Sequence, residues 1–163
     1  MGRKLRENAH LSAEGWSDWV RAIVPAENQH DEHSYEDRSA DQTGVMCTNI
    51  REVLEHEMSK CGIYEWQARQ PGGRNVVYVG STCTAKRGSL RTRVLQYCTH
   101  GSHKSELIND ALERGYELFV RVKTSGRNNM NNKLRAEEME NGLLEQYDYA
   151  WNIRGNDADR DIL

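Results

Sequence analysis

No stretch of this chain is apolar over anything near the roughly 18 residues that a membrane-spanning helix requires, so no membrane partner is expected. The first residues, Met1 to Asn8, lack the apolar centre of a secretory signal, and an intracellular protein, cytoplasmic or nuclear, is expected. A paired-cysteine motif is absent too. Cys47, Cys61, Cys83 and Cys98 contain no C-x-x-C, which argues against a zinc ribbon. At 163 residues a disulfide scaffold is not expected either, and the four are read as reduced thiols. Cys98, His100 and His103 fall close enough together to ligate a metal, or are simply a helix end with two exposed imidazoles. Internal repeats are missing. Apolar residues are scarce at 37%, against 29% charged, which leaves room for one core plus polar segments.

The most informative absence is local. From Trp66 to Ser105 there is no Asp or Glu, in a chain that has 25. The same stretch holds Arg69, Arg74, Lys86, Arg87, Arg91, Arg93 and Lys104. Residues 1–60 carry 12 acidic and 7 basic groups, and residues 106–163 carry 12 and 8. A net charge of −3 therefore hides a segregated positive patch of the kind that attracts phosphate backbones.

Among what is present, apolar periodicity comes first. Trp16, Trp19, Val20 and Ile23 predict a helix over 12–23, with Ser12 as its cap. Residues 25–44 are polar and predict a linker or exposed loop. Ile50, Val53, Leu54 and Met58 predict a helix over 48–60. Strands are predicted at 61–68 and 75–80, joined by the Pro71-Gly72-Gly73 turn. Helices follow at 89–98 and from 102 or 103 to 114, the second closed by Gly115. A strand at 116–123 alternates clearly. A polar loop spans 124–132, and Asn132 caps a helix from 133 to about 147. The fold class expected is α+β: a small three-stranded antiparallel sheet in the order β-β-α-α-β-α, flanked by helices, behind an N-terminal helical extension. The organisation expected is an extension over 1–60, a core over 61–153 and a charged tail over 154–163.

Several polar residues fall in unusual places. Glu140 lies four residues from Ala136 and Leu144, so helical geometry puts its carboxylate on or beside the apolar face. A buried carboxylate requires a cation, a donor network or a metal; the alternative is an edge position with its head in solvent. Arg93 and Tyr97 share a half-buried helix face. That arginine could pair with a carboxylate or grip a phosphate. Tyr64 and Tyr78, taken singly, read as core residues.

Taken jointly, Gly62-Ile63-Tyr64, Tyr78-Val79-Gly80, Leu90-x-x-Arg93-Val94-x-x-Tyr97, Glu140 and Asn152 resemble the GIY-YIG nuclease superfamily over residues 61 to about 153. The run after Tyr-Val-Gly is similar to the nuclease domain of bacterial excision-repair incision proteins. The ending Tyr147 to Asn152 is similar to the GIY-YIG domain of plant effector-of-transcription proteins. Ser81 departs from repair-type members, which often carry Lys there. Either phosphate is held differently, or Lys86 or Arg87 supplies the charge.

The resemblance implies phosphodiester hydrolysis in DNA by water with one divalent metal, Mg²⁺ or Mn²⁺. Its site residues would be Tyr64, Tyr78, Arg93, Tyr97, Glu140 and Asn152, with Glu140 holding the metal. Tyr64 would be the base or the relay to one, its phenol lowered from a usual pKa of about 10 by the basic patch. Arg93 would clamp phosphate with help from Tyr97, and Asn152 would tie the last segment to the site wall. DNA would be gripped by Arg69, Arg74, Lys86, Arg87, Arg91, His100, His103 and Lys104, and cutting of both strands calls for a homodimer or sequential nicks. The alternative is a DNA-binding transcriptional regulator that keeps the fold with little cleavage.

Overall fold

Ten regular elements, described over residues 14–124 and 132–152 of a computed structural model, follow the chain. They are β1 (Val20–Val24), β2 (Tyr35–Asp37), β3 (Val45–Cys47), α1 (Asn49–Val53), β4 (Cys61–Gln70), β5 (Gly73–Cys83), α2 (Ser89–His100), α3 (Ser105–Glu113), β6 (Glu117–Thr124) and α4 (Lys133–Gln146). Single turns of 3-10 helix lie at Ala26–Asn28 and Ser102–Lys104. The expected cap at Ser12, most of the polar loop after Thr124 and the tail over 154–163 lie outside the described residues.

The α+β class and the antiparallel sheet hold, but the sheet has six strands rather than three, in the order β2-β3-β1-β6-β4-β5. The expected trio, β6-β4-β5, forms one half. The segment expected as a helical extension supplies the other half. Where a helix was expected over 12–23, β1 pairs with β6 at Val20↔Val120 and with β3 at Val24↔Val45. The β-branched Val20, Ile23 and Val24 suit that pleated, half-buried position. The three-residue spacing of Trp16 and Trp19 imitates a helical face. In fact both rings stack on the Arg121 guanidinium of β6, at 4.4 and 4.6 Å.

The polar stretch 25–44 is likewise built in. Arg38 is buried and donates from Nε to the Cys98 carbonyl at 2.7 Å and from Nη1 to the Thr43 carbonyl at 2.6 Å. Burial lowers its guanidinium from 12.5 to about 10. The helix expected over 48–60 shrinks to α1, because only Ile50 and Leu54 reach the core, while Val53 is 54% and Met58 39% exposed. Cys61 and Cys83 are not thiols: they stand opposite each other at the open end of the β4–β5 hairpin and form a disulfide. Cys47 and Cys98 are free and buried, as small hydrophobes often are.

Helices cover both faces of the sheet. On one, α2 and α3 pack Leu90, Val94, Ile108 and Leu112 against Tyr64, Trp66, Val120 and Val122. On the other, Leu144 of α4 and Tyr149 meet Val76 and Val79. Alternation along β4 sends Glu65 to this second face. There it pairs with Arg121 at 2.6 Å, both nearly inaccessible, and accepts the Tyr149 hydroxyl proton at 2.5 Å. No helix among the described residues is long and apolar enough to cross a membrane.

Candidate active site

Two glycines of the hairpin, Gly62 and Gly80, mark where its strands meet other groups closely. A Cβ on Gly62 would lie 2.7 Å from Leu90 Cδ2 and 2.8 Å from the Lys123 carbonyl oxygen. A Cβ on Gly80 would run into the Tyr64 ring, 2.5 Å from Cζ and 2.7 Å from Cε2. Tyr64 and Gly80 are cross-strand partners, so the phenol lies over the bare backbone of the edge strand β5. Without side chains at 62 and 80, α2 closes on β4 and the Tyr64 ring lies flat against β5.

Four of the expected residues converge on the α2 face. Tyr64 and Tyr97 hydroxyls are 3.1 Å apart, and Tyr97 donates to the Tyr78 hydroxyl over a longer 3.4 Å. Ring centroids in this trio lie 5.5 to 6.4 Å apart, in tilted aromatic contact. Arg93, half-buried one helical turn before Tyr97, lies close enough to the Tyr64 phenol for its charge to favour the phenolate. Burial opposes the Arg93 charge, yet its interactions with Tyr64, Tyr97 and Tyr78 outweigh that and raise its pKa.

The phenols themselves move opposite to expectation. Burial, and then the neighbouring Tyr78, push Tyr64 far above the usual phenol range; Arg93 pulls it back without cancelling that. Tyr97 is raised by burial and by the other two phenols. The basic patch does not lower them, because its exposed members face water while the rings face the core.

Glu140 comes from α4, on the other side of the sheet, and is buried as its helical position predicts. Its Oε1 accepts the Ser81 hydroxyl proton at 2.5 Å. Ser81 follows Gly80 on the edge strand, so the carboxylate and the phenol cluster approach consecutive residues of β5 from opposite faces. The site is thus a rim straddling that strand. The Ser81–Glu140 link had a sequence signal: alternation puts residues 79 and 81 on one face, and α4 packs on Val79.

Asn152 closes the rim. Its Oδ1 accepts from the Val79 amide and its Nδ2 donates to the Val79 carbonyl, each at 2.9 Å. The Trp151 amide adds a bond to the Val77 carbonyl at 2.8 Å. The chain's last described segment therefore satisfies the open edge of the strand that carries Tyr78 and Gly80.

The expected DNA-gripping residues divide into four groups. Lys86 and Arg87 are exposed on the loop between β5 and α2, and Arg91 on α2 donates to the Glu55 carbonyl at 2.8 Å. His100 ends α2 exposed, while His103 reaches back so that its Nε2 is 3.1 Å from the Tyr78 hydroxyl. Lys104 is not a surface contact: it is buried, with Nζ 5.2 Å from the Tyr78 ring centre, which stabilises the charge there. Arg69 and Arg74 do not converge on the site. They face each other near the hairpin turn, where Arg69 stacks on Phe119 at 3.7 Å. Five residues along β4 from Tyr64, that is roughly 16 Å away. No trio of His, Cys, Asp or Glu arranged to hold a metal occurs among the described residues, and Cys98 is buried away from both imidazoles' solvent side.

Fold and site define an α+β domain with a phenol, guanidinium and carboxylate set gathered at the rim of its edge hairpin. A family model described as GIY-YIG domain-containing protein matches residues 16–162, and the chain belongs to that family, whose domain is of nuclease type. No curated protein and no solved structure matches the chain.

Proposed function

We propose that this chain is a divalent-metal-dependent DNA endonuclease that hydrolyses phosphodiester bonds at the β5 rim. One observation carries the reading: the Tyr64, Tyr78 and Tyr97 hydroxyls gather with Arg93 on one face of the hairpin, Tyr64 lying over Gly80, and Glu140 reaches the next residue, Ser81, from the other face. A purely structural core gains nothing from placing four polar heads and a carboxylate around one strand edge.

The donor set fits a hard cation. It offers one carboxylate and one hydroxyl, both oxygen, and Mg²⁺ commonly takes one or two carboxylates with waters and phosphate oxygens. When bound, such an ion supplies charge neutralisation for the phosphoryl group and the leaving 3′ oxygen. The chain's own residues do the rest. Glu140 and Ser81 hold the ion's place. Arg93, beside Tyr64, presents its guanidinium donors to non-bridging phosphate oxygens. Tyr64, its hydroxyl against the bare backbone of Gly80 and next to Ser81, would take the proton of an attacking water. Asn152 keeps β5 from fraying. Lys86, Arg87 and Arg91 draw the backbone of DNA toward the rim.

The test is supercoiled plasmid with Mg²⁺ or Mn²⁺, comparing the wild-type chain with Glu140→Gln and Glu140→Ala. Nicking is expected for the wild type, with a loss on the order of 10³-fold in both variants, equivalent to about 4 kcal/mol of barrier. DNA binding without metal-dependent cutting, unchanged by either substitution, would favour a DNA-binding regulator built on the same fold.

A further inference from the structure

A buried phenol whose proton is held more tightly than usual makes a poor base, so the proton from an attacking water needs somewhere else to go. The hydroxyls form a continuous line. Tyr64 meets Tyr97 at 3.1 Å, Tyr97 donates to Tyr78 at 3.4 Å, and Tyr78 meets Nε2 of His103 at 3.1 Å. Tyr64 and Tyr97 are fully buried, Tyr78 nearly so, and His103 is exposed. The line therefore runs from the reaction centre to solvent and ends on the one side chain type in it that titrates near neutrality. Three further contacts fix that end. The His103 ring lies edge-on to Tyr78 and to Tyr97, at 6.0 and 5.9 Å between centroids. Ser102 Oγ sits 3.4 Å from Nδ1, able to accept a proton carried there.

We propose that His103 is the terminal proton acceptor of the nuclease site, acting through Tyr78 and Tyr97 on Tyr64 and touching no reacting atom itself. The proposal rests on the nuclease reading above. As the water oxygen bonds to phosphorus, its proton passes to the Tyr64 oxygen. The Tyr64 proton moves to Tyr97, that of Tyr97 to Tyr78, and that of Tyr78 to Nε2 of His103. The three phenols end neutral and the imidazole becomes an imidazolium. The bond from phosphorus to the 3′ oxygen breaks, and that oxygen takes a proton from solvent. His103 then releases its own proton to bulk water. Throughout, the nearby Arg93 charge favours the fleeting negative charge on the Tyr64 oxygen. Among the described residues, the titratable groups that face His103 include Tyr78 from β5 and Tyr97 from α2, with Lys104 next to it in the 3-10 turn.

Two measurements test this. In the first, nicking is followed from pH 5.5 to 9 for the wild type, His103→Ala and Tyr97→Phe. The wild-type kcat should fall on the acid side with a midpoint in the imidazole range, about 6.5. Either substitution should lower kcat on the order of 10²-fold or more and abolish that acid limb, with KM for DNA unchanged. Added imidazole should restore part of the rate to His103→Ala and none to Tyr97→Phe. A His103→Ala protein with unaltered kcat and pH profile overturns the proposal. So does a loss confined to KM with a shallower salt dependence, which would make His103 a phosphate contact.

The second measurement needs no cleavage. A long-range ¹H–¹⁵N correlation spectrum of the free protein at pH 8 should show His103 protonated on Nδ1 and bare on Nε2. Tyr78→Phe should shift the Nε2 resonance. A proton on Nε2 in the wild type reverses the last link and overturns the proposal, whether or not the protein cuts DNA. A wild-type chain that shows the Nδ1 tautomer but cuts nothing sinks the nuclease reading and, with it, the catalytic use of the line.

Discussion

Residue 80 has room for a hydrogen atom and nothing larger, because the Tyr64 ring fills the space where a Cβ would stand. Gly80→Ala should therefore displace the phenol and remove nicking, at a stability cost of about 1–3 kcal/mol. A plasmid assay paired with thermal unfolding separates the two effects. Gly62→Ala meets Leu90 and a β6 carbonyl instead, so its main expected effect is on stability, read as a lower midpoint in urea. The roles of these glycines were legible as spacing but not as sterics, since what crowds each of them comes from strands and helices distant in sequence. The buried position of Glu140 was legible from its helical spacing. The direction of the phenol shifts was not, because charge counted along the chain ignores which groups are out of water. Lys104 was misread for the same reason: one of seven bases in an acid-free run, it lies under a ring.

Elements with a clean period were legible. The β4–β5 hairpin, α2, α3, β6 and α4 lie within a few residues of expectation, and Asn132 caps α4 by accepting the Arg135 amide. Short elements were not, since β2 and β3 have 3 residues each and α1 has 5, too few for any period to register. Two element-scale interactions carry measurable weight. Asn152→Ala deletes both side-chain bonds to Val79 and should cost about 1–3 kcal/mol, with earlier hydrogen exchange of β5 amides than of β4 amides. Unchanged β5 protection would mean that the Trp151 bond holds the edge alone. Across the sheet, Glu65→Ala strands Arg121 as a buried charge and should cost about 3–5 kcal/mol in chemical denaturation. Pairing it with Arg121→Met should recover much of that loss, as no unpaired charge then remains. A double variant as unstable as Glu65→Ala would show that the packing of Trp16 and Trp19, not the charge, is what matters.

At the scale of the molecule, several buried groups set a limit on alkaline stability. Burial pushes the Cys98 thiol from 9.0 to about 12. Below pH 9 the folded and unfolded chains both keep that proton, and its contribution to stability is complete. Between pH 9 and 12 the unfolded chain loses the proton while the folded one retains it, so stability is lost as pH rises. Tyr64, Tyr97 and Tyr149, all raised from 10.0, chiefly by burial, act in the same sense from pH 10 upward. Cys47, raised by burial, acts with them, while Arg38, lowered from 12.5 to about 10, and Lys123 and Arg69, both lowered by burial, act against them over their own windows. The urea midpoint should accordingly be level from pH 7 to about 9 and decline beyond it, and Cys98→Ala should move the onset toward pH 10. A level midpoint up to pH 11 would contradict the buried state of these groups.

The seam between β1 and β6 joins residues 100 positions apart, Val20 to Val120. During vectorial synthesis β1 and β3 can pair early, but the edge of β1 that receives β6 stays unmated until the segment about 100 residues further on has left the ribosome. Non-local pairing of this kind slows folding and lengthens the time spent sticky. Trimming the chain to begin at Cys61 would spare that wait but leave β6 with a bare, apolar flank, a template for another copy. Such a trimmed product should associate or precipitate where the longer chain stays dispersed, which sedimentation would read directly.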